Sequence, residues 1–253
     1  MKIFIKTPAE IASMKEGGRR LGIILKELAA FVAPNITTQN LEDRAKELFK
    51  KYEVKPSFLG YKGYPAALCT AVNEEVVHAI PCSRILRDGD IISIDAGACY
   101  EGLHTDSAIT ISVGQITPAI KKFISIGEEA LSKAISLCRP GVRLEEISAI
   151  IEKTITNNGY KPIKELTGHG VGRLLHEDPL VLNYVDKSSP EIILAEGMTF
   201  AIEPIYAMGG AEIKTKSDKW TIITADGSLA AQVEHTVAIT ANSCEILTIR
   251  PVI

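Results

Sequence analysis

The chain contains a diverged copy of itself. Pro34, Ile36, Leu41 and Lys55-Pro56 realign at a constant offset with Pro140, Val142, Ile147 and Lys161-Pro162. In each copy an amphipathic helix fills the middle: Leu41, Ala45 and Leu48 recur at helical spacing, as do Leu144, Ile147, Ile151 and Ile155, and Gly159 stops the second helix. A longer helix precedes each, opened by Thr7-Pro8-Ala9-Glu10 and by Thr117-Pro118, where a capping hydroxyl stands before a proline at the first helical position. β-rich segments follow, with His78-Ala79-Ile80-Pro81 in one copy and His176-Glu177-Asp178-Pro179 in the other. One repeat period in 253 residues is too few for a solenoid. The pattern predicts an α+β protein of two αβ halves packed about a pseudo-twofold axis. With no Gly/Ser-rich or Pro-rich linker between the halves, they are expected to form one fused domain.

The acids are duplicated too. Gly89-Asp90-Ile91-Ile92-Ser93-Ile94-Asp95 is echoed by Gly197-Met198-Thr199-Phe200-Ala201-Ile202-Glu203, and Thr105 to Thr110, around Asp106, is echoed more loosely by Val233 to Val237, around Glu234. Each half thus supplies two strand-borne carboxylates. Gathered in one apolar setting, four such groups repel one another and demand protons or cations, so the pattern points to a dinuclear metal site. The segments around Asp95 and Asp106 read as a hairpin with a turn near Tyr100-Glu101-Gly102. Folding it symmetrically about Tyr100 and Glu101 sets Asp95 opposite Asp106, Cβ atoms roughly 4.5–5.5 Å apart. The plainer reading, one aspartate capping a turn and the other solvated, would serve for a single pair; the second pair, Glu203 and Glu234, counts against it.

His169, in Gly168-His169-Gly170, is a fifth ligand candidate, its glycines allowing close backbone approach. His104 and His235 neighbour the acids, but strand alternation is expected to turn both to other faces, in supporting roles. Carboxylates with one imidazole suit Mn²⁺, Fe²⁺, Co²⁺ or Zn²⁺. Two such ions sharing a water would generate hydroxide and polarise a carbonyl or phosphoryl oxygen, so the chemistry is hydrolysis.

Composition narrows the setting. With 46% hydrophobic residues and a net charge of −3, the chain can bury a large core and shows no basic stripe for sequence-specific nucleic-acid binding. No apolar run is long enough to span a membrane, Lys26 and Glu27 interrupting the best candidate, and Met1-Lys2-Ile3-Phe4 lacks a secretory core. Five scattered cysteines without Cys-x-x-Cys spacing read as reduced, in a cytoplasmic protein.

In order and spacing, Asp95, Asp106, His169, Glu203 and Glu234 resemble the ligands of the methionine aminopeptidase family, bacterial type I. The likeness extends through Gly60-Tyr61-Lys62-Gly63-Tyr64-Pro65, Asn73 to His78, and Ile202-Glu203-Pro204, from about Thr7 to Thr248. The resemblance implies the pita-bread fold: a curved antiparallel sheet, two pairs of flanking helices and a central dinuclear site. Residues 1–253 would form one catalytic domain, with halves of about 7–113 and 117–248. It further implies removal of the initiator methionine from nascent chains with a small second residue, by attack of a metal-bridging hydroxide. Asp95 would hold one metal, Asp106 and Glu234 would bridge both, and His169 and Glu203 would complete the other. Glu203 would also shuttle the proton. His78 would contact the scissile amide nitrogen and His176 the carbonyl oxygen. The methionine pocket would be lined by Phe58, Tyr61, Tyr64, Cys69, Leu175 and Trp220, Phe58 standing where the family often has cysteine and Leu175 where phenylalanine is common. The family suggests a monomer working near the ribosome. Helix beginning at Thr7 resembles the short bacterial form. Because Lys2 is long, the chain is expected to keep its own Met1, which intact mass would check.

Two other readings stay open on the sequence. A proline-directed aminopeptidase or dipeptidase of the same fold would keep all five ligands, though such relatives usually carry a further N-terminal domain. A non-catalytic peptide-binding module would have lost ligands, and none is lost here.

Overall fold

The computed structural model describes residues 2–250. Met1, whose retention is expected above, and the last three residues of the expected domain lie outside them. Four helices form two pairs: α1 (Pro8–Phe31) with α2 (Thr38–Lys51), and α3 (Pro118–Leu137) with α4 (Leu144–Asn157). Thr7 opens α1 as expected, its hydroxyl accepting from the Glu10 amide at 3.3 Å while the Glu10 carboxylate accepts from the Thr7 amide at 2.8 Å. Gly159, at φ 81°, follows the end of α4.

Each helix pair covers its own sheet. Leu21, Ile24, Leu25 and Leu28 of α1 and Leu41, Ala45 and Leu48 of α2 pack on Ile92, Ile94, Ala96 and Ala98 of strand Ile91–Tyr100. In the second half Phe123, Ala130 and Leu131 of α3 and Ile147, Ile151 and Ile155 of α4 pack on Phe200, Ile202, Val237 and Ile239. Each fully buried aliphatic contributes roughly 1.5–3 kcal/mol relative to an exposed position. The duplication is thus physical, and smaller features repeat with it. Lys55–Pro56 pairs with Cys99 and Ala98, and Lys161–Pro162 with Ala207 and Tyr206. The residues just before α2 and α4, Thr37 and Arg143, make matching bridges to Ile85 and Ile193.

The sheets are antiparallel. In the first half, strand Ile91–Tyr100 is paired with Lys55–Pro56, Cys69–Val72 and Leu103–Ser112. In the second, the order is Cys244–Ile246, His235–Ile239, Thr199–Ile202, Gly168–Gly170, Glu177–Val181. These antiparallel sheets with two helix pairs are the architecture that the resemblance implies.

One expectation needs correction. The hairpin closes through a two-residue turn, Glu101 and Gly102, at φ 51° and 81°, the left-handed pair that suits strand twist. Tyr100 therefore faces Leu103, Asp95 faces Ala108 and Asp106 faces Gly97. The two aspartates share a face but stand diagonally, not opposite.

Buried hydroxyls join the halves where sheet pairing stops. Thr236 Oγ1 accepts from the Asp106 amide and donates to the Asp106 carbonyl, both at 2.8 Å. Ser107 Oγ donates to the Glu234 carbonyl at 2.8 Å, and the Glu234 amide donates to the Ala108 carbonyl at 2.9 Å. Asp106 of one half and Glu234 of the other are thereby fixed side by side. Among the described residues no helix is long and apolar enough to cross a membrane.

Candidate metal centre

Where the halves meet lies a cavity of about 750 Å³. Asp95, Asp106, His169, Glu203 and Glu234 line it, together with His78, His176, Phe58, Tyr61, Tyr64, Cys69, Leu175 and Trp220. All five ligand candidates are buried, from 1% exposed at Glu234 to 8% at Glu203. Asp106, His169 and Glu234 each offer a ligand atom, all within 4.8 Å of one another. Asp95 and Glu203 flank this cluster, Glu203 Oε1 standing 3.8 Å from His169 Nε2.

Strands carry Asp95, Asp106 and His169, whereas Glu203 and Glu234, expected on strands as well, stand in the short breaks between Thr199–Ile202 and Ile205–Ala207 and between Ala230–Gln232 and His235–Ile239. His169 sits between two glycines because neither neighbour has room for a side chain: a Cβ at Gly168 would run into the Ala201 carbonyl, and one at Gly170 into that of Asp178. The crowding that the glycines relieve is backbone of adjacent strands. His169 Nδ1 lies 2.9 Å from the Gly170 carbonyl and donates to it, which leaves Nε2 unprotonated and directed at the carboxylates. His78, which lines the cavity, is held at φ 57°, a strained backbone pose.

Electrostatics favours cations at the cluster. Burial pushes the Asp95 carboxyl up to about 7, against the pull of Gln232. Burial, then the neighbouring carboxylates, hold Asp106 and Glu234 well above the usual carboxylate range, and burial with Asp95 does the same to Glu203. Asp95 Oδ1 and Glu234 Oε1 are buried without a hydrogen-bond partner among the described residues. Four crowded carboxylates, two orphaned oxygens and one neutral imidazole fit divalent cations and little else. Desolvation against the cavity wall lowers His78 and His169 and takes His176, also beside His169 and Lys62, down to about 3, which favours neutral rings.

Aromatic walls stand beside the carboxylates. Cys69 pairs with Asp95 across two strands, and Tyr64 meets Trp220 edge to face at 5.1 Å. Tyr64 OH donates to the Leu68 or Ala79 carbonyl, both 3.2 Å away. His176 Nδ1 lies 2.9 Å from the Tyr61 hydroxyl, and its ring 4.2 Å from that of His169.

Two histidines stay outside, one for a different reason than expected. His235 turns away from Glu234 and meets Thr248 at 2.9 Å. His104 lies two residues from Asp106, so alternation puts it on the same face; its position one turn of the pleat away, bonded to Ser57 at 2.9 Å, removes it from the cluster. Sequence reasoning missed Gln232, whose Nε2 lies 3.2 Å from both Asp95 and Glu203. Its place two residues before Glu234 was the available signal. Lys2 and Phe4 also line the cavity.

The model of metallopeptidase family M24 matches residues 12–241. The chain is 44% identical to methionine aminopeptidase 1 of Bacillus subtilis over 97% of this chain and 99% of the relative. It is 39% identical to methionine aminopeptidase of Escherichia coli K12, over 99% and 95% of the two. The crystal structure of methionine aminopeptidase from Thermotoga maritima superimposes with a TM-score of 0.95 at 44% identity, covering 98% of this chain and 99% of that one. Prolidase from Pyrococcus furiosus gives 0.79 at 24% identity, with 97% of this chain and 65% of that chain covered, a likeness of fold alone.

Proposed function

The chain belongs to metallopeptidase family M24, among its methionine aminopeptidases, and on that premise we propose that it removes the N-terminal methionine from nascent proteins whose second residue is small. The observation that carries this is one cavity holding both a buried acid cluster and an aromatic, sulfur-compatible pocket. Asp95, Asp106, His169, Glu203 and Glu234 would hold two divalent ions, of Mn, Fe, Co or Zn. Bound there, such ions lower the pKa of water and polarise a carbonyl oxygen.

The chain's own groups do the rest. Phe58, Tyr61, Tyr64, Cys69, Leu175 and Trp220 enclose the methionine side chain. When the Tyr61 hydroxyl, 2.9 Å away, donates to His176 Nδ1, the neutral ring carries its proton on Nε2 and offers that N–H as a hydrogen bond to the scissile carbonyl oxygen. His78 contacts the scissile nitrogen. Glu203 takes a proton from the attacking water and returns it to the leaving amine. The substrate is met in the cytoplasm near the ribosome, by a monomer acting as one catalytic domain.

The test is release of free methionine from Met-Gly-Met-Met and Met-Lys-Met-Met by metal-stripped protein with each metal restored. Turnover of the first peptide alone supports the reading. Cleavage of an Xaa-Pro peptide instead, or of neither substrate, overturns it.

A further inference from the structure

The second histidine on the cavity wall depends on a residue far from it in sequence. The segment Val171–His176 links strands Gly168–Gly170 and Glu177–Val181 and carries no regular structure. Its shape is set by Glu177, whose Oε1 accepts from the Leu174 amide at 2.8 Å. The other oxygen, Oε2, is paired with the ammonium of Lys6. Lys6 Nζ also donates to the Phe4 carbonyl at 3.1 Å. The lysine reaches this place by crossing Gly172, where any Cβ would collide with Lys6 Cε.

Both partners are sealed off, their side chains 1% and 0% exposed. A buried pair of this kind adds little to stability over apolar residues of the same volume, because desolvation offsets attraction. What it adds here is direction. Held by Lys6, the Glu177 carboxylate presents one oxygen to the Leu174 amide, and the backbone between these two residues carries His176. The N-terminal segment has further anchors: the Lys2 amide donates to Asp178, next to Glu177, at 2.6 Å, and the Lys6 amide donates to the Gly197 carbonyl at 2.8 Å. Lys6 therefore reaches Glu177 from a fixed base.

We propose that Lys6 is a positioning residue for the reaction, fixing His176 over the scissile bond through Glu177 and the Leu174 amide. The inference rests on the aminopeptidase reading above. Without the ammonium, Glu177 is a buried carboxylate lacking its counter-charge; it leaves the Leu174 amide, and the ring of His176 shifts. Misplacement by about 1 Å can cost on the order of 100-fold in rate.

The experiment measures kcat, KM, metal per chain and melting temperature for four proteins: wild type, Lys6→Met, Glu177→Gln, and the double variant Lys6→Met/Glu177→Met. Lys6→Met is expected to lower kcat by roughly 10- to 100-fold, with KM within about threefold and metal content unchanged. Glu177→Gln can satisfy only one of its two donors, and its kcat falls as well. The double variant recovers the melting temperature but keeps the low kcat. A double variant with wild-type kcat would show the pair to be merely structural, even if Lys6→Met alone fails to fold. Wild-type kcat in Lys6→Met or Glu177→Gln, or loss of metal in either, also overturns the proposal. Failure of wild type to release methionine would instead strike the aminopeptidase reading beneath it.

Discussion

Asp95 and Glu203, one from each half of the chain, are joined by a single nitrogen: Nε2 of Gln232 lies 3.2 Å from each. The amide stands between the two carboxylates and orients both toward the cluster. Gln232→Leu should weaken divalent-metal affinity by roughly 10-fold, as loss of an orienting partner does. Competition against a fluorescent chelator measures this, and unchanged affinity would refute the role.

Glu234→Gln should move activity and stability in opposite directions. Turnover should fall by at least about 1,000-fold with loss of metal. The metal-free protein at pH 8 should melt a few degrees higher, since a buried acid surrounded by three others is removed. A metal-free variant that melts lower than wild type contradicts this account.

Stability of the metal-free protein should fall as pH rises from 5 to 8. The four carboxylates titrate above their unfolded values, Asp95 at about 7 and the others well above the usual carboxylate range. Between pH 4 and those values the folded chain binds more protons than the unfolded one, so raising pH favours unfolding. Stability that these groups contribute is present below about pH 4 and lost as pH passes through the folded values. Metal replaces the protons, so the gap between melts with manganese and with chelator should widen toward pH 8. A gap constant with pH would exclude the coupling.

Trp220 is the only tryptophan in the chain and lines the cavity. Added methionine should change its fluorescence, and Trp220→Ala should raise KM several-fold while kcat stays nearly constant, as expected for a group that binds the side chain alone. An unaltered KM would place Trp220 outside the pocket.

Local chemistry made much of this architecture readable. Helix starts at Thr7 and Thr117 and the apolar faces of α2 and α4 are written within a few residues, and the duplication doubled the signal. The hairpin register was less accessible. Moving the turn centre from Tyr100-Glu101 to Glu101-Gly102 shifts pairing by two residues, which preserves the face but converts opposition into a diagonal. Gln232 gave only its place two residues before Glu234, because a neutral amide produces no repulsion to explain. Lys6 and Glu177 are separated by most of the chain, and no spacing rule connects them.

The welding of Asp106 to Glu234 by Thr236 and Ser107 has a consequence for how this protein comes into being. A chain made from its N-terminus exposes its first pair of acids long before the second exists. Glu234 belongs to the second copy, so the centre cannot close until both copies have been made. A truncated product, however well its first half folds, is born without activity.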